Sequence, residues 1–158
     1  MLSGQLPSEI SLLEQLVEID LDENRLTGTI PPSLGSLSML EILDLDNNLL
    51  KGTIPDSLYQ APSLRNLDLD HNFLIGSISS HIGFLSTLQF LQVDFNELSG
   101  TIPTEVGNLQ HVHYLSVLGN YFEGDIPTSL CSDYTEIYAN CFMCDVEGIC
   151  CTACLPNQ

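Results

Sequence analysis

The sequence predicts an α/β repeat solenoid with a cysteine-rich carboxy-terminal cap. The expected architecture is a right-handed stack of coils with a parallel concave sheet and short 3₁₀ or helical turns on the convex side. Three observations carry this expectation. Asparagine recurs every 24 residues at Asn24, Asn48, Asn72, Asn96 and Asn120. Glycine keeps the same period at Gly4, Gly28, Gly52, Gly76, Gly100 and Gly124. All the cysteines, Cys131, Cys141, Cys144, Cys150, Cys151 and Cys154, follow the last full period. A fixed period is the mark of stacked units that present the same groups to their neighbours.

Each position of the period has a physical role. Three apolar columns precede the asparagine, for example Leu40, Leu43 and Leu45 before Asn48. The LxL part alternates, so its leucines point inward and the residues between them point outward, as a strand requires. One such strand cannot bury its face alone, so the coils pair their strands and share a core. The asparagine amide both donates and accepts, which suits a buried turn. The glycine marks a positive φ or a close approach between coils. The stretch from proline to LG, as from Pro31 to Leu37, suits a short 3₁₀ turn.

These columns together read LxxLxLxxNxLxGxIPxxLGxLxx, with Ser79 breaking the proline column. The pattern covers residues 1–130 and resembles the plant-type leucine-rich repeat. The resemblance implies a recognition module like those of receptor-like ectodomains and polygalacturonase-inhibitor-like proteins. It also implies that the cysteines form a disulfide-bonded cap, over residues 131–158. Two solutions stay open for them from the residues alone. A dense, even cluster reads as disulfides in an oxidising compartment. The pairs Cys141-x2-Cys144 and Cys151-x2-Cys154 could instead form a zinc knuckle, although the six residues between them make a short zinc loop.

Met1 leads straight into Ser3-Gly4-Gln5-Leu6-Pro7, the middle of a coil. The chain is therefore read as truncated, without an amino-terminal cap and with an apolar edge on its first coil. The missing signal peptide then says nothing about compartment, and an extracellular or cell-surface location is expected from the cysteines and the resemblance. No N-x-[ST] sequon occurs. No apolar run approaches the roughly 20 residues of a membrane span.

Twenty-one acidic residues face only Arg25, Lys51 and Arg65, for a net charge of −18. Nucleic acid and anionic membrane surfaces are disfavoured partners, since both demand basic contacts. The outward positions of the strands form columns. The first reads Glu18, Ile42, Asn66, Phe90, Tyr114, and the second Asp20, Asp44, Asp68, Gln92, Ser116. The third reads Asp22, Asp46, Asp70, Asp94, Leu118, and the fourth Glu23, Asn47, His71, Phe95, Gly119. Aspartate in the second column is common in the family. The doubled ladder in LDLDEN, LDLDNN and LDLDHN belongs to this sequence.

Two readings of the ladder compete. The face is solvated and acidic, or it binds a cationic partner. In the binding reading, Asp20, Asp22, Asp44, Asp46, Asp68, Asp70 and Asp94 attract basic groups, while Phe90, Phe95 and Tyr114 anchor a protein or peptide. The alternative ligand is calcium or a mineral surface, since carboxylate oxygens suit hard cations. No EF-hand spacing is present, so any calcium binding is expected to be weak. Ice is a weaker version, because the outward columns of these strands lack threonine. No cofactor is expected. Catalysis is not expected either: there is no P-loop, GxGxxG or HExxH. A Ser116, His113 and Asp94 set has nothing to orient it.

Overall fold

A computed structural model describes residues 1–131, 135–144 and 151–155. Strands run in chain order as β1 (Ser3–Gln5), β2 (Glu18–Asp20), β3 (Arg25–Thr27), β4 (Ile42–Asp44), β5 (Lys51–Gly52), β6 (Asn66–Asp68) and β7 (Phe73–Gly76). They continue as β8 (Phe90–Gln92), β9 (Glu97–Thr101), β10 (Tyr114–Ser116), β11 (Tyr121–Glu123), β12 (Glu136–Asn140) and β13 (Ala153–Leu155). The concave sheet is parallel, in the order β13-β12-β10-β8-β6-β4-β2. A second parallel ladder, β5-β7-β9-β11, follows the asparagines, and β1 pairs with β3 beside it. The convex side carries five-residue 3₁₀ turns at Ser8–Leu12, Pro32–Ser36, Asp56–Gln60, Ser80–Phe84 and Thr104–Asn108.

The leucine columns form one continuous core. Leu43, Leu67 and Leu115 have no exposed surface, nor have Leu40, Leu64 and Leu88 one position-set away. Each fully buried leucine contributes about 1.5–3 kcal/mol by leaving water. The asparagine column ties coil to coil. The Asn72 amide donates to Leu45 O of the previous coil (2.9 Å), to Leu69 O (3.2 Å) and to Asp70 O (3.0 Å). Its Oδ1 accepts the N–H of Leu50 (3.0 Å). Asn48, Asn96 and Asn120 repeat this set. A backbone that leaves one strand ladder for the next is thereby satisfied without water.

Two columns of left-handed backbone shape each coil. The expected one is the glycine column, with Gly52 at φ +80° and Gly76 at +85°. The second lies at the strand exit, where Glu23, Asn47, His71 and Phe95 have φ of 48–50° and Gly119 has 61°. This conformation is uncommon for a side chain with Cβ. Sequence reasoning read that column as part of the face and missed its backbone role. Asn47 and Gly119, both tolerant of positive φ, were the available signal.

The sheet continues past the last full coil. Strand β12 pairs with β10, and β13 pairs with β12. Ile137, Ala139 and Met143 are fully buried and close the end of the core. Cys141 is bonded to Cys154 and Cys144 to Cys151, with Cα separations of 4.8 and 5.7 Å. Cys131 is also disulfide-bonded, and Cys150 lies outside the described residues. These nested bridges clip the turn after β12 to β13, so their sulfurs are not thiolate ligands of a zinc knuckle. At the other end, Leu12 and Leu13 of the first coil are exposed.

Candidate binding face

The predicted columns stand in register. Strand pairing aligns Glu18, Ile42, Asn66, Phe90 and Tyr114, and beside them Asp20, Asp44, Asp68, Gln92 and Ser116. Backbone bonds prolong the ladder beyond the strands: Asn47 N–H donates to Asp70 O (3.0 Å) and His71 N–H to Asp94 O (2.9 Å). Asp22, Asp46, Asp70 and Asp94 therefore share one row as well.

Burial of the aspartates deepens along the solenoid. Asp20 and Asp22 are exposed, Asp44, Asp46 and Asp70 are half-buried, and Asp68 and Asp94 are each 8% exposed. The deeper carboxylates serve the fold. Asp68 Oδ1 accepts the N–H of Asp70 (3.2 Å), and its other oxygen accepts the Gln92 amide. Asp70 accepts the N–H of Asp94, and Asp94 Oδ1 accepts the N–H of Leu118 (2.7 Å). The Ser116 hydroxyl donates to the second oxygen of Asp94. Asp46 differs. Its Oδ2 takes the Asn47 amide (2.8 Å), while its buried Oδ1 has no hydrogen-bond partner.

Burial and crowding raise the deeper carboxylates of this ladder. Burial, with repulsion from Asp44 and Asp46, pushes Asp68 up to about 7 against the opposing N–H of Asp70. Burial, with repulsion from Asp94 and Asp68, pushes Asp70 up to about 8. Burial also raises Asp44 and Asp94, the latter against the Ser116 and Leu118 donors. Like charges one strand spacing apart in a partly dry site favour the neutral acid.

The aromatic end is distinct. Phe90 and Phe95 are each 41% exposed. Phe95 packs against His71 with ring centroids 4.5 Å apart and planes tilted by 33°, and its ring lies where a Cβ on Gly119 would fall. Phe90 and Tyr114 rings are 6.5 Å apart, and Tyr114 meets Tyr138 of the cap at 5.1 Å. Tyr138 and Glu136 were not foreseen. The alternation of Ile137 and Ala139 was their signal, hidden because the spacing from Leu115 to Ile137 is two residues short of the period. Ser116 reaches Asp94 with no imidazole between them, and His113 stands exposed at the edge of the strand.

Residues 14–74 match a family model described as leucine rich repeat, and residues 87–109 match a second of the same description. The chain belongs to the leucine-rich-repeat family. Comparison with curated proteins gives no match. Among solved structures, this leucine-rich-repeat chain is similar to PEPR1 in the PEPR1–AtPEP1 structure, with 35% identity and a TM-score of 0.78 over 87% of this chain and 21% of that one. It is similar to the complex of the Arabidopsis receptor kinase HAESA with the peptide hormone IDA and the co-receptor SERK1, with 31% identity and a TM-score of 0.82 over 87% and 24%. It is also similar to a plant ice-binding protein, with 28% identity and a TM-score of 0.79 over 87% and 44%. The leucine-rich-repeat chain spans about a fifth to a quarter of the PEPR1, GASSHO1/SCHENGEN3 and TDR receptor chains.

Proposed function

We propose that this chain is a non-enzymatic recognition module that binds a basic peptide or protein on its concave face. The observation that carries this reading is an uncompensated charge on the same face as exposed rings. Among the described residues, the Arg65–Glu41 ion pair and the His81–Asp56 contact involve none of the ladder aspartates. Asp20 and Asp22 hold exposed carboxylate oxygens available to an incoming cation, on the same face as Phe90, Phe95 and Tyr114 and three or more strand spacings along it. Asp44, Asp68, Asp70 and Asp94, all raised by burial, add negative charge from below as an approaching cation draws off their protons. Peptide-bound receptor structures among its neighbours support the same class of partner. Those neighbours and the disulfides favour an extracellular place, in a receptor-like or secreted inhibitor-like protein. Within this reading, residues 1–130 are the recognition solenoid and 131–158 its cap. No helix among the described residues is long and apolar enough to cross a membrane.

The test is fluorescence anisotropy with a labelled lysine-rich heptapeptide at low and high salt. Affinity should fall with salt, as exposed charge pairs are screened. Converting Asp22 and Asp46 together to serine should weaken binding several-fold. Unchanged affinity in that double variant would end the reading.

One observation favours a second reading, weak calcium or mineral binding. Asp44, Asp46 and Asp68 each offer a carboxylate oxygen, all within 4.8 Å of one another. Calorimetric titration with millimolar calcium, showing no heat and no change in melting temperature, would dismiss it.

A further inference from the structure

The concave face does not end where the repeats end. In the cap, β12 sets Glu136 opposite Tyr114 and Tyr138 opposite Ser116. The Tyr138 ring leans on Tyr114 at 5.1 Å with 33° between planes. Its hydroxyl donates to Glu136 Oε2 (3.3 Å). On its other side the register partner is Ala153. Ala153 offers only a methyl group there, and among the described residues Tyr114 is the one ring that meets Tyr138. Phe90 extends the aromatic row behind Tyr114.

The surrounding charge is of one sign. Burial raises Tyr114, with Asp94 and Asp70 near enough to add to it, and burial raises Tyr138, with Glu136 adding to it. The bases Arg25, Lys51 and Arg65 belong to the first three coils. An aromatic face with a carboxylate at its rim is a cation–π site with a counter-ion supplied. A planar guanidinium fits best, because it can stack on the ring while pairing with the carboxylate. A neutral sugar could stack on the same rings but would gain little from Glu136.

The length of the face selects the form of the partner. From β2 to β12 there are five strand spacings, about 24 Å. That equals the reach of an extended segment of about seven residues. Resting on the binding reading above, we propose that Tyr114, Tyr138 and Glu136 form a subsite at the cap end of the concave face that holds an arginine side chain of an extended peptide partner. The cap is then a specificity-determining part of the face as well as a plug for the core.

The experiment uses the full chain and two labelled heptapeptides that differ only in a terminal arginine or citrulline. Citrulline keeps the shape and removes the charge. The wild-type chain should prefer arginine by about threefold to tenfold. Glu136→Gln and Tyr138→Leu should abolish the preference, and Tyr138→Phe should keep most of it, since the ring face persists. Glu136 is exposed, so its replacement does not endanger the cap. If both peptides bind and neither Glu136→Gln nor Tyr138→Leu alters the preference, the subsite is overturned while the concave-face reading stands. If neither peptide binds the wild-type chain, both fall. If cellohexaose moves the Tyr138 ring resonances and the arginine peptide does not, the row is a sugar platform and the proposal fails.

Discussion

The carboxylate of Asp94 accepts the backbone N–H of Leu118 and the hydroxyl of Ser116, both belonging to the next coil. A residue that sequence reasoning placed on a binding surface is thus a joint between coils. Asp94 is almost fully buried, so deleting its carboxylate strands two donors. Asp94→Ala should cost about 2–3 kcal/mol, the penalty for buried groups left unpaired. Asp22→Ala, at the exposed end of the same row, should change stability little. Urea unfolding of the two variants makes the comparison.

Stability should fall as pH rises from about 4 to 8. Asp68 and Asp70 hold their protons to about 7 and 8 in the folded chain. In the unfolded chain both titrate near about 3.9. Between those values the native state binds more protons than the unfolded state, so raising pH removes stability. The penalty is absent below the unfolded value and complete above the folded one. Urea midpoints at pH 5 and pH 8, at one ionic strength, should differ in that direction. Asp70→Asn should flatten the dependence.

Binding of a basic partner should release protons at pH 7. A cation beside the ladder favours the charged carboxylates, which pulls the raised values of Asp68 and Asp70 down. Titration calorimetry in buffers of different ionisation enthalpy reads the release directly. Apparent heats that do not vary with the buffer would show that the ladder is uncoupled from binding.

Asn72→Ala should be more costly than Asn24→Ala. Asn72 is buried and satisfies four backbone groups of two coils. Its loss should cost about 3 kcal/mol, since several buried polar groups lose their partner together. Asn24 is only half-buried, and water can replace part of what it supplies. Denaturant midpoints of the two variants are the measurement.

Gly35→Ala should disrupt the convex side. A Cβ there would sit 1.9 Å from the carbonyl oxygen of Ser57 in the next coil. Backbone cannot move aside as a side chain can, so overpacking of about 3 kcal/mol is expected. Thermal unfolding, together with the near-ultraviolet signal of the buried Tyr59 one coil on, reports the damage.

The 24-residue period determined the coil, its inward leucines, its asparagine ladder and which side chains share a face. Those are local and repetitive properties: alternation sets direction, and spacing sets register. The cysteine cluster pointed to a stapled end. What the neighbouring coils do to each aspartate was decided by tertiary structure alone. Asp22 and Asp94 occupy the same place in the period, yet one stands in solvent and the other bonds Ser116 and Leu118 under the aromatic end. Burial and the distance to the next charge depend on contacts between coils, and those are set by packing, not by sequence neighbours. The same holds for Tyr138. The shortened spacing before it conceals the strand, and only the pairing of β12 with β10 brings its ring onto Tyr114 and carries the face into the cap.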